Sequence, residues 1–88
     1  MENIDKKIER EKLLFNLECD FITDFIALRK SMNLSQQSLA DKAGVLRGNV
    51  VRIENSIVSP CISTLLKILS SIGYTIKIVP IEEENNNK

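Results

Sequence analysis

The stretch from Leu34 to Asn55 constrains the fold of this 88-residue chain more than any other. It reads as two short helices with a tight turn between them. Ser35 stands where its hydroxyl caps the first helix by accepting from an exposed backbone N–H. Leu39, Ala40 and Ala43 follow at i, i+1 and i+4, an apolar stripe with alanine where two helices must come close. Gly44 falls where that helix ends, because a left-handed residue is cheap there only as glycine. Val45 plugs the turn. A second helix from about Arg47 buries Val50 and Ile53 and leaves Arg47, Asn49 and Arg52 outside.

That is helix-turn-helix grammar, in which the second helix presents side chains to DNA. Leu34-Ser-Gln-Gln-Ser-Leu-Ala, then Ala43-Gly-Val, then Arg52-Ile-Glu-Asn with Pro60 following, resemble the Cro/CI-type (XRE-type) helix-turn-helix family. The resemblance covers roughly Phe21 to Ile72. Two positions depart from it. Leu46 stands where the family usually has Ser or Thr capping the recognition helix, and Ser56 where it usually has Gly. The fold class expected is mainly α: a lambda-repressor-like helical domain, with an extra N-terminal helix and one C-terminal β-strand pairing across a dimer.

Nothing from residue 2 to residue 43 is Gly or Pro, yet one unbroken helix of about thirty residues is unusual in a small domain. We therefore expect a helix from Asn3 to about Leu17, a loosening around Glu18 to Asp20, and a second helix from Asp20 to Met32. On the first, Ile4, Ile8 and Phe15 share a face that Leu14 and Leu17 widen; it packs either on its own domain or on a partner. On the second, Phe21, Phe25 and Leu28 are core. Ser59 and Pro60 read as a cap and first residue of a helix running to Ile72, with Leu65, Ile68, Leu69 and Ile72 inward and Gly73 as its stop.

Then the period changes. Tyr74 to Ile81 alternates and is β-branched, so it reads as a strand. With no second β segment to pair with, it is expected to meet a second copy of itself. The organisation is thus an amphipathic helix (1–19), a helix-turn-helix domain (20–73, motif about 35–55), a dimerisation strand (74–81) and a disordered polar tail (82–88). The dimer interface is placed on Leu69, Ile72, Tyr74, Ile76 and Ile78, and a two-fold suits a palindromic operator.

Composition adds a charge argument. The chain is net neutral, 43% hydrophobic and 27% charged, as a small soluble domain should be. The neutrality hides segregation: residues 1–28 carry −3, residues 29–80 carry +5 and residues 81–88 carry −2. The basic excess coincides with the helix-turn-helix, as a phosphate-facing surface requires. No apolar run approaches the ~20 residues that cross a bilayer, and the polar start is no signal peptide. A cytoplasmic protein with no membrane association is expected, with Cys19 and Cys61 as buried or half-buried free thiols. There is no His, no nucleophile with a base, no phosphate loop and no metal spacing, so neither an enzyme nor a cofactor is indicated.

For DNA, Arg47 and Arg52 offer forks that match guanine and Asn49 an amide that matches adenine, while Gly48 lets the first turn approach closely. Gln36 resembles the family's phosphate-binding glutamine, with Gln37 beside it, and Asn55 is a second candidate for the backbone. Arg29 and Glu54 match the family's internal ion pair and are left out of the DNA site.

The order Thr64-Leu-Leu-Lys-Ile-Leu-Ser-Ser-Ile-Gly-Tyr-Thr-Ile-Lys-Ile-Val-Pro-Ile-Glu is similar to HigA-type and HipB-type antitoxins, where a helix, a glycine and one strand close the dimer. That resemblance implies a type II antitoxin that represses its own operon and neutralises a small basic mRNA endonuclease of the HigB/RelE type. Ile4, Ile8, Glu11 and Phe15 are the candidate toxin contacts, with Glu2, Asp5 and Glu9 supplying further negative charge. The alternative is a stand-alone phage-type repressor with no toxin.

Overall fold

The computed structural model describes residues 4–56 and 59–81. Its order is α1 (Ile4–Ser31), α2 (Gln36–Ala43), α3 (Arg47–Glu54) and α4 (Ile62–Ser70). Three helix ends share one device. Asn33 N–H bonds to the Lys30 carbonyl at 2.9 Å and Leu34 N–H to that of Arg29 at 3.2 Å. Gly44 and Val45 repeat the pair on Asp41 and Ala40, and Gly73 and Tyr74 on Ser70 and Leu69. Each is a Schellman ending, whose pivot residue must be left-handed. Gly44 and Gly73 take that φ, at 72° and 87°, freely, and Asn33 takes it at 58°.

α1 corrects one expectation. It runs through Glu18 to Asp20 without a break, 28 residues in one piece and about 42 Å long. A capping residue such as Asp20 begins a helix only where the chain before it is not already helical, and nothing there stops it. Asp5 in the first turn and Arg29 with Lys30 in the last complement the helix dipole.

The core is built from one side of this rod. Phe25, Leu39, Ala40, Ala43, Val50, Ile53, Ile68, Leu69 and Ile72 are buried, with Phe21, Ile22, Leu28, Leu34, Val45 and Leu65 packed around them. Ala40 and Val50 are wholly enclosed, which is what the alanines of the stripe were needed for. Phe21 and Phe25 bring their rings to 6.1 Å. By contrast, every residue from 4 to 20 is exposed, so the first half of α1 projects from the domain and the molecule measures 49 × 28 × 18 Å. Ile4, Ile8 and Phe15 of the arm are thus left uncovered by their own domain within the single chain.

α4 starts two residues later than expected. Cys61, not Ser59, occupies the N-cap position, in extended backbone at φ −79° and ψ 159°, which keeps Pro60 outside the helix. Its carbonyl accepts from Thr64 and Leu65, and its Sγ gathers the hydroxyls of Ser63 and Thr64 at 3.3 and 3.2 Å. Past Gly73, Tyr74 to Ile81 forms no strand, nor is any strand formed among the described residues. A strand needs a ladder partner, and the single chain supplies none. The tail at 82–88 and the acid Glu2 lie outside the described residues. Among the described residues no helix is long and apolar enough to cross a membrane.

Candidate nucleic-acid interface

α2 and α3 are set by their caps. Ser35, at φ −77° and ψ 170°, accepts from Ser38 N–H at 2.9 Å and starts α2 as its type dictates. Leu46 precedes α3 in a similar backbone, φ −75° and ψ 146°, and has no oxygen to offer. Its carbonyl still accepts from Asn49 N–H at 2.9 Å, so the turn closes on backbone alone. Losing a side-chain cap in this way weakens a helix start by ~1 kcal/mol.

The ends of α1 and α3 are joined by a charged knot. Arg29 donates Nε to Glu54 Oε2 at 2.7 Å, Nη2 to Oε1 at 3.0 Å and Nη1 to the Leu34 carbonyl at 2.8 Å. The ion pair is nearly enclosed, with side chains 10% and 5% exposed. The bidentate fork is the geometry that compensates for desolvating both charges. Sequence reasoning placed these two residues correctly as structural. It did not foresee that Gln36 joins them, donating its amide nitrogen to Glu54 Oε1 at 2.9 Å. One amide hydrogen of Gln36 is thus committed inside the protein. Gln37 lies on the exposed side and donates to Asp41 Oδ1 at 2.8 Å, one turn on.

The other expected readers sit together. Arg47, Gly48, Arg52 and Asn55 are exposed and Asn49 is half-buried, all along α3 or at its end. Space around Gly48 is open: a Cβ there would meet nothing within 4 Å. The domain's own packing therefore does not call for glycine at this position. Leu46, Asn49 and the turn at Gly44 and Val45 share a concave surface with Ser63, Thr64 and Lys67 of α4. The α4 contribution was missed in the sequence, where the polar spacing 63 and 67 at i, i+4 was its signal.

The remaining candidates divide. Ile4, Ile8, Glu11 and Phe15 are exposed at helical spacing, Ile4 by 71% and Phe15 by 65%. Leu14 and Leu17 continue that stripe into a groove of about 400 Å³ walled by Phe21, Ile22, Ile53 and Leu65. Tyr74, Ile76 and Ile78 are exposed, Ile78 completely, whereas Leu69 and Ile72 are core residues of their own chain. Those two can support an interface only from beneath. Both cysteines are exposed rather than buried, because each lies on the outer side of its element. The hydroxyls of Ser63 and then Thr64, hydrogen-bonded to Cys61 Sγ, bring that thiol down to about 7.

Residues 26–79 match the sequence model of the helix-turn-helix family. The chain belongs to the helix-turn-helix family. An uncharacterized HTH-type transcriptional regulator from Haemophilus influenzae is 36% identical over 70 residues, covering 80% of this chain and 71% of the relative. Among solved structures, one from a toxin–antitoxin module of Streptococcus pneumoniae shares 27% identity at a TM-score of 0.67. The match covers 93% of this helix-turn-helix chain and 97% of that one, so it extends along the N-terminal arm as well as the domain. A DNA-binding regulator is the function class these likenesses support.

Proposed function

We propose that this chain is the antitoxin of a type II toxin–antitoxin pair. As a dimer it binds operator DNA, represses its own operon, and holds a small basic mRNA-endonuclease toxin of the HigB/RelE type on its N-terminal arm. The observation that carries the reading is the bare apolar arm, Ile4, Ile8 and Phe15, standing beside a domain that closes its core without it. The likeness to a toxin–antitoxin module over nearly the whole length of both chains supports it. A stand-alone phage-type repressor is the second reading, favoured by the Haemophilus influenzae relative, whose name mentions regulation only.

On DNA, α3 enters the major groove with Arg47 and Arg52 at guanine edges and Asn49 at adenine, while Gln36, Gln37 and Asn55 hold phosphates. Two-fold symmetry comes from Tyr74 to Val79 pairing antiparallel with its copy. Mobility shifts on operator and scrambled duplexes test the frame. Arg47→Ala or Arg52→Ala should each lose ~1–3 kcal/mol on the operator and little on scrambled DNA, whereas Gln36→Ala should weaken both alike. If both Arg variants keep full discrimination, the placement of α3 is wrong. A chain ending at Gly73 should scatter light as a monomer; a dimer would remove the C-terminal segment from the interface.

A further inference from the structure

Leu46 is 79% exposed at the turn between α2 and α3. It neither caps α3 nor reaches the core, since Val45 beside it already fills the turn. A leucine here thus gives up a side-chain helix cap and leaves most of an apolar side chain in water. The side chain lies one residue before Arg47, at the end of the recognition helix that faces base edges, and it shares its concave surface with Asn49, Ser63, Thr64 and Lys67. Those four are polar and Val45, the other apolar residue of that surface, is packed against the core, so Leu46 is the exposed apolar group there.

Base edges in the major groove carry one apolar group, the C5-methyl of thymine. We propose that Leu46 is a specificity residue that packs on a thymine methyl, once in each half-site. The proposal rests on the DNA-binding reading of α3 and adds a base to it: where the arginine forks select guanine, Leu46 selects thymine by excluding water from its methyl. The absence of a Cβ at Gly48, two residues on, leaves room for the base pair to approach.

The test uses the full chain and a duplex enriched by it from a random pool. Each thymine of that duplex is replaced in turn by uracil, which keeps pairing and removes the methyl alone. At one position per half-site the wild-type chain should lose about fourfold in affinity, the factor for burying one methyl-sized group. Leu46→Ser, which restores a capping hydroxyl and so does not weaken the fold, should lose affinity for the thymine duplex and become indifferent to uracil at that position only. A Leu46→Ser variant that still discriminates thymine from uracil there, or a wild-type chain indifferent to uracil everywhere, overturns the proposal while leaving DNA binding intact. Failure to enrich any duplex would instead overturn the DNA-binding reading beneath it.

Discussion

Phe15 and Phe25 lie on one uninterrupted helix, ten residues apart, and one is 65% exposed while the other is 4% exposed. The two halves of α1 carry similar apolar spacing: Ile4, Ile8 and Phe15 in the first, Phe21, Phe25 and Leu28 in the second. Only the second half meets α3, through the core around Ile53 and the knot of Arg29 with Glu54. Periodicity states that a helical face is apolar; it does not state which chain will cover it. The second half is stabilised by burial. The first is helical by continuity, since extending an existing helix avoids the nucleation penalty that a separate helix would face.

The largest effects should fall on the covered half. Phe25→Ala should destabilise the domain by ~3–5 kcal/mol, the range for emptying a buried aromatic site. Arg29→Ala should come close behind, ~3 kcal/mol or more, because it leaves the Glu54 carboxylate enclosed with Gln36 as its remaining donor among these contacts. Phe15→Ala should fall within ~0.5 kcal/mol of wild type. Chemical denaturation of the three variants measures the contrast directly. Equal losses for Phe15→Ala and Phe25→Ala would mean that the arm is covered in solution.

An intermediate effect sits at the junction of the two regions. Ser56 lines the groove between α1 and α4 together with Leu17, Phe21 and Ile53, and it closes α3 at φ +58° with its N–H on the Ile53 carbonyl. A left-handed β-carbon-bearing residue costs ~1–2 kcal/mol, and glycine gives back part of that as unfolded-state entropy. Ser56→Gly should therefore raise stability by ~0.5–1 kcal/mol, with a matching rise in melting temperature. A fall would show that the serine side chain contributes more at this junction than its backbone strain costs.

Much of the domain was legible because its signals are local. Ser35, Gly44, Val50 and Ile53 sit where cap chemistry and helical period require, and the structure places each there. The ion pair of Arg29 and Glu54 came from the family resemblance, since residues 25 apart leave no mark in periodicity. The misses are of another kind. Typical helix length argues for a break at Glu18 to Asp20, yet no residue there ends a helix and α1 runs through. Ser59 and Pro60 carry the cap-and-proline signal for the start of α4, yet the backbone at Cys61 remains extended and the helix begins after it. The second partner of Glu54, Gln36, depends on how α2 meets α3 in space. The pairing proposed for Tyr74 to Val79 concerns a second molecule, which a single chain does not contain.

The smallest expected effect on stability is also the one that separates the arm's uses. Deleting residues 2–17 removes an exposed helix segment with no share in the buried core, so the domain should keep its melting temperature to within about 4 °C, equivalent to ~0.5 kcal/mol at this size. Helical circular dichroism should fall by the deleted turns while thermal unfolding stays cooperative. Operator affinity should be nearly unchanged, because α3 and the C-terminal segment remain and the lost residues carry net negative charge. Neutralisation of the proposed toxin should disappear, since the apolar face that anchors it goes with the arm while the acids that speed encounter go too. Three measurements on one variant therefore bear on the comparison: melting, operator mobility shift, and rescue of cells expressing the proposed toxin. A large drop in melting temperature would make the arm structural after all. A variant that melts normally yet still rescues those cells would take the toxin off the arm and leave the domain's own apolar surface at Phe21, Ile53 and Leu65 as the place to look for it.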